Sequence, residues 1–134
     1  MKANELMIGD WIYAPHNGNA THYGRITAIL PSGAVEVDLN GDTVLCSSGS
    51  VEPITITPEI LEKNGFTRLN KSVRYFLEST DYYDVAIREI TDSIWCFEYQ
   101  NCEAHFPPCL ILSGHLHELQ HCLKLVGIEK EITI

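Results

Sequence analysis

Basic side chains are scarce in this chain. Nine lysines and arginines stand against eighteen acids, a formal net charge of −9 over 134 residues. That shortage opposes sequence-independent binding to phosphate backbones, which needs a clustered excess of cations. The charge is also evenly spread: residues 1–56 hold two basic and six acidic side chains, residues 57–134 seven and twelve. Neither half carries a basic patch of the size nucleic acid requires. Long apolar runs are missing too. No segment nears the ~18 residues of a membrane span, and Met1-Lys2-Ala3-Asn4-Glu5 begins no signal-peptide apolar stretch. A cytoplasmic protein with no membrane partner is expected. The five cysteines (Cys46, Cys96, Cys102, Cys109, Cys122) include no C-x-x-C pair, which predicts reduced thiols buried as small hydrophobes, not a disulfide framework or zinc ribbon. The strings G-x-G-x-x-G, G-x-x-x-x-G-K and G-x-S-x-G are absent as well, removing the simplest dinucleotide, phosphate-loop and serine-hydrolase readings.

What is present is globular. Hydrophobic residues make up 45% and charged residues 20%, enough to bury a sizeable core in one domain or two very small ones. Residues 6–14, 23–30, 35–39, 43–46 and 51–55 read as short strands cut by turn signals. Asn40-Gly41 closes a hairpin, because both central residues of a type I′ turn need positive φ. Five strands in this space predict an SH3-like small barrel over residues 1–56. Thr57-Pro58-Glu59 then starts a helix and Asn64-Gly65 stops it, giving a short helix over 58–64. Residues 73–78, 83–89, 94–99 and 103–106 are rich in aromatic and β-branched side chains separated by turn clusters, an antiparallel meander. Residues 109–112 lead into a C-terminal helix over 112–127 with Ser113 as N-cap, and the alternating tail 128–134 adds an edge strand. The expected class is α+β, mainly β, with residues 57–134 as the second part. The two parts are either separate domains or one compact domain.

The C-terminal helix hides one string that spells chemistry. His117-Glu118-Leu119-Gln120-His121 matches H-E-x-x-H, which places two zinc-ligating histidines on one helix face beside a general-base glutamate. On a helical wheel Leu112, Leu116, Leu119, Leu123 and Val126 cluster within about 80°, a stripe that docks on a sheet. His117 and His121 fall roughly 140° from its centre, on the side this argument leaves in water beside Lys124. A third ligand is hard to find: the extended protease pattern needs Gly and His where the chain has Lys124 and Gly127. Glu129 and Glu131 are the only late carboxylates, and Cys102 and His105 join only if the sheet wraps to the outer face. His115, His117 and His121 together suit adventitious metal binding. Cys102 or Cys109 with His105 would make a nucleophile pair, but strand residues packing under the helix explain them far better. Tyr75, Phe76, Tyr82, Tyr83, Trp95, Phe97 and Tyr99 sit at strand spacing, where aromatics form core and cross-strand pairs. Asp81, Asp84 and Asp92 lack the spacing of a calcium loop.

Three stretches are similar to a family of short uncharacterised bacterial proteins encoded in prophages and mobile elements of gut anaerobes. They are Ile8-Gly9-Asp10-Trp11-Ile12; the run from Glu52-Pro53-Ile54 through Thr57-Pro58-Glu59-Ile60-Leu61 to Asn64-Gly65-Phe66; and Leu116-His117-Glu118-Leu119-Gln120 with Gly127. In that family the last stretch reads more like V-H-Q-L-Q-N-L. His117, Leu119 and Gln120 fit, whereas Glu118 and His121 replace Gln and Asn and thereby create the H-E-x-x-H string. The resemblance implies no enzymatic activity, and it gives His117 and Gln120 a packing or partner-contact role.

The expected function is a non-enzymatic accessory or protein-interaction module of prophage or mobile-element origin. It has a protein partner, no cofactor, no catalytic residue and no metal ligand, and a homo-oligomer stays open. The first alternative is a zinc-dependent hydrolase with His117 and His121 as ligands and Glu118 as base. The second is nucleic-acid binding through the N-terminal barrel, which the net charge opposes.

Overall fold

The computed structural model describes residues 1–16, 20–68, 70, 72–79, 83–101 and 109–134. They form two units, Met1–Ile54 and Thr55–Ile134. The described residues are mainly β, with two antiparallel sheets and two α-helices. No described helix is long and apolar enough to cross a membrane.

In the first unit β1 (Trp11–His16), β2 (Ala20–Ile29), β3 (Ala34–Leu39), β4 (Asp42–Ser47) and β5 (Glu52–Pro53) make one sheet ordered β4-β3-β2-β1-β5. Every neighbouring pair is antiparallel. β3 shows why these residues choose strand: Val35, Val37 and Leu39 are buried while Ala34, Glu36 and Asp38 alternate outward. Inward side chains of β1 to β4 merge with Leu6 and with Val51, just before β5, into one core of Leu6, Ile12, Ala14, Ile26, Val35, Val37, Leu39, Cys46 and Val51. Each fully buried Ile or Val there contributes roughly 1.5–3 kcal/mol. The hairpin at residues 40–41 has the expected backbone, with Asn40 at φ 58° and Gly41 at φ 103°. A bulge between Ile26 and Ala28 bends β2. Among the described residues β4 and β5 are the free edges, and no pairing between them closes the sheet into a barrel.

In the second unit α1 (Pro58–Lys63) precedes β6 (Thr67–Arg68), β7 (Arg74–Ser79), β8 (Tyr83–Thr91), β9 (Ile94–Asn101) and β10 (Cys109–Leu112), and α2 (Leu116–Leu125) follows. The sheet is a meander ordered β10-β9-β8-β7-β6. Thr57 caps α1 through its hydroxyl, which accepts the Ile60 N–H at 3.3 Å. The end of α1 is a Schellman motif, with Phe66 N–H on the Leu61 carbonyl and Gly65 N–H on that of Glu62. α2 ends the same way, with Ile128 on Leu123 and Gly127 on Lys124. Across the sheet Tyr75, Ile87 and Phe97 stand in register and are all buried, and the Tyr75 and Trp95 ring centroids lie 6.0 Å apart. These aromatics fill a core instead of lining a pocket.

Several expectations need correction. The helix does not start at Leu112: residues 109–112 form the edge strand β10, and the helix starts at Leu116 with His115, not Ser113, as N-cap. The tail 128–134 forms no strand. It is held by buried Ile132 and by Asn64, whose side chain bonds the Thr133 backbone. β6 was not anticipated, and the strand expected over 103–106 lies outside the described residues. The thiols are not all reduced: Cys96 and Cys109 are joined as a disulfide across β9 and β10, while Cys46 and Cys122 are free and buried.

Candidate functional site

The first turn of α2 gathers most of the titratable side chains singled out by the motif. Its approach is tightly built. Gly114, at φ +79°, passes so close to Ser93 that a Cβ would sit 2.8 Å from the Ser93 carbonyl oxygen, a place only glycine fits. The Gly114 carbonyl accepts the Ile56 N–H at 2.7 Å, and Thr55 bridges His115. These contacts fix where the helix begins. Glu118 then caps it, its Oε2 accepting the Ser113 N–H at 2.7 Å and the His115 N–H at 3.4 Å.

The wheel argument for the histidine face fails here. His117 is only 5% exposed and Gln120 8%, so neither points into open water. Buried positions on α2 (Leu116, His117, Leu119, Gln120, Cys122 and Leu123) sweep roughly 220° at 100° per residue, far beyond a leucine stripe. The His117 ring stacks on His115 with centroids 5.7 Å apart and meets His121 edge-on at 5.6 Å. Donor atoms of His115, His117 and Glu118 all lie within 4.8 Å of one another. His121 is not in that group. The structure therefore brings together one histidine outside the H-E-x-x-H string with one inside it, and makes the glutamate a neighbour of both.

This arrangement does not suit the protease roles. In an H-E-x-x-H site both histidines bind the metal and the glutamate acts on water. Here Glu118 Oε2 is engaged in capping, and the second histidine contributes no donor atom to the close group. A cation at this helix end is opposed by the positive end of the dipole, but only by roughly 0.3–1 kcal/mol. Three ligands outweigh that readily. Below the histidines, burial and the nearby Glu118 carboxylate push the Cys122 thiol up to about 11, so it is no nucleophile near neutral pH. Cys102, His105, Asp81 and Tyr82 lie outside the described residues, and Cys109 is in the disulfide.

Two further groupings were missed in the sequence. On the outer face of the first sheet, Trp11 lies opposite Arg25 and Tyr13 opposite Tyr23. The Arg25 guanidinium sits over the Trp11 ring at 5.7 Å, and the two tyrosine rings are 4.7 Å apart with their hydroxyls 3.1 Å apart. That hydroxyl contact raises the Tyr13 pKa above its ordinary value. Beside the stripe is a groove of about 310 Å³ lined by Ile8, Gly9, Arg25, Ile26, Thr27 and Asp38. Ile8 is 61% exposed on a turn fixed by hydrogen bonds on either side of it. Buried Asp10 accepts the Met7 N–H at 2.7 Å, and Gly9, at φ 95°, donates to the Ile26 carbonyl at 2.7 Å. In the second unit, Glu98 is buried between Arg74 at 2.6 Å and Arg88 at 3.0 Å. The alternation in residues 11–13 and 23–25 was legible, but which residues stand opposite one another needs the register. Compared with known proteins, the chain matches no family model, no curated sequence and no solved structure at a significant level.

Proposed function

We propose that the protein is a non-enzymatic protein-interaction module, an accessory factor of a mobile element, whose contact surface is the outer face of β1 and β2. The observation that carries this reading is the pair of adjacent rungs Trp11–Arg25 and Tyr13–Tyr23 at the surface, flanked by the outward Ile8. A solvated sheet face is ordinarily polar; aromatic rungs beside an apolar groove suit a binding surface. The similarity of Ile8-Gly9-Asp10-Trp11-Ile12 to the mobile-element proteins supports the accessory role.

The occupant is an extended segment of a partner protein, rich in proline or aliphatic residues and carrying a basic side chain. Aromatic faces receive the polyproline II conformation well, since it is extended and already ordered. The first 54 residues hold six acids against two bases, which favours a cationic peptide. An SH3-like small barrel open between β4 and β5 is the architecture consistent with this use. Its support is β5 lying beside β1, the 3-10 turn Ser48–Ser50 just before β5, and one core shared by β1 to β4 and Val51. Nucleic acid would find a single arginine on this stripe, too little cation for phosphate-driven binding.

The test is titration of the full chain with arginine-flanked proline-rich peptides, followed by amide chemical shifts. Shifts should centre on Trp11, Tyr13, Tyr23 and Arg25, and Tyr23→Ala should weaken binding about tenfold, 1.4 kcal/mol. Absence of peptide binding, or shifts elsewhere that Tyr23→Ala and Ile8→Ser leave unchanged, would overturn the reading. Oligothymidine binding that survives physiological salt would replace it with the nucleic-acid alternative.

A further inference from the structure

We propose that His115, His117 and Glu118 bind one divalent transition-metal ion that clips the first turn of α2 in place. The inference is independent of the peptide face in the first unit, so either can fail alone.

The chemistry of the donors comes first. Two borderline imidazole nitrogens joined by one hard carboxylate oxygen make a donor set suited to zinc, cobalt or nickel. Their atoms already lie within 4.8 Å of one another. Ligand atoms around a tetrahedral zinc are roughly 3.3 Å apart, so side-chain rotations that close the separations by up to about 1.5 Å complete the set. The carboxylate can serve both purposes, because its two oxygens keep lone pairs beyond the two backbone N–H groups they cap.

Pre-organisation comes second. His117 is 5% exposed and its ring is stacked on that of His115, which limits the rotamer freedom lost on binding. The backbone carrying the ligands is held before any ion arrives, through the Ile56–Gly114 hydrogen bond, the Thr55–His115 bridge and the close approach of Gly114 to Ser93. An ion here ties the N-cap residue to the first helical turn. It would therefore stabilise the helix start against fraying, a structural role that needs neither His121 nor a free general base.

The experiment uses the full chain and cobalt(II) as a spectroscopic stand-in for zinc. One equivalent should bind and give visible d–d absorption. His115→Ala, at the half-buried N-cap, should lower affinity about tenfold or more, as should Glu118→Gln, while His121→Asn leaves affinity within about twofold. Saturating zinc should raise the thermal midpoint of the parent chain and not that of His115→Ala. Uptake below one equivalent, an unchanged His115→Ala, or loss on His121→Asn overturns the assignment. So do thiolate-to-cobalt charge-transfer bands, which would move the ion to a cysteine.

Discussion

Asn64 and Thr133 are joined through both ends of one carboxamide. The Thr133 N–H donates to Asn64 Oδ1 and Asn64 Nδ2 donates to the Thr133 carbonyl, each at 2.8 Å. The same Nδ2 reaches the Ile60 carbonyl at 2.8 Å. A C-cap residue of α1 thus anchors the last residues of the chain, which have no strand to hold them. Asn64→Ala removes these bonds at a position only 5% exposed. It should lower stability by about 1–3 kcal/mol in urea unfolding and speed hydrogen exchange at the Thr133 amide. An unchanged Thr133 exchange rate would show that the tail is held by other contacts, such as buried Ile132 and the Lys63 ammonium on the Ile134 carbonyl.

That pairing marks the limit of what sequence could tell. Asn64-Gly65 reads as a helix stop, and it is one, because Schellman geometry is written within a few residues. The Asn40-Gly41 hairpin and the Thr57-Pro58 helix start were legible for the same reason. The partner of the Asn64 side chain lies 69 residues away, and no local signal encodes it. The α2 wheel failed for a related cause. It assumed that a helix buries only its apolar stripe, whereas the segment at Thr55–Ile56 and the Gly114–Ser93 approach fix the helix start, and His117 is buried with the leucines. The aromatic rungs on β1 and β2, and Glu98 between its two arginines, depend on cross-strand register. Alternation alone leaves register open by two-residue slips.

Glu118 should behave as a cap, not as a base. Glu118→Ala removes the acceptor of the Ser113 and His115 N–H groups and should cost about 0.5–2 kcal/mol. Glu118→Gln keeps a side-chain oxygen and should recover most of that loss. Thermal unfolding of both variants beside the parent checks this without added metal. Equal destabilisation by the two would mean that charge near the helix N-terminus, not the hydrogen bond, matters.

The Cys96–Cys109 disulfide closes a loop of 13 residues in sequence separation. Loop-closure entropy for that length is worth about 3 kcal/mol at 25 °C. Cys109→Ser should therefore lower the oxidised protein's stability by about that amount and leave the reduced protein nearly unchanged. Denaturant midpoints with and without dithiothreitol separate the two. A loss that persists after reduction would assign the effect to packing at β10.

Cys122 supplies a pH dependence with a definite sign. Burial, with a smaller push from the Glu118 carboxylate, raises its folded pKa from 9.0 to about 11. The folded state therefore holds the proton over a range where the unfolded thiol releases it. Stability tied to this group is fully present below about pH 9 and declines as pH rises from there towards 11. Cys122→Ala removes that dependence, so the stability difference between parent and variant should shrink across this interval. The same shift leaves the folded thiolate about 100-fold rarer than an unshifted thiol would give. Iodoacetamide at pH 8 should consequently label Cys122 only at the rate of unfolding. Rapid labelling at Cys122 of the folded chain, located by peptide mapping, would mean that the thiol is reached by solvent and that the burial assigned to the α2 core is wrong.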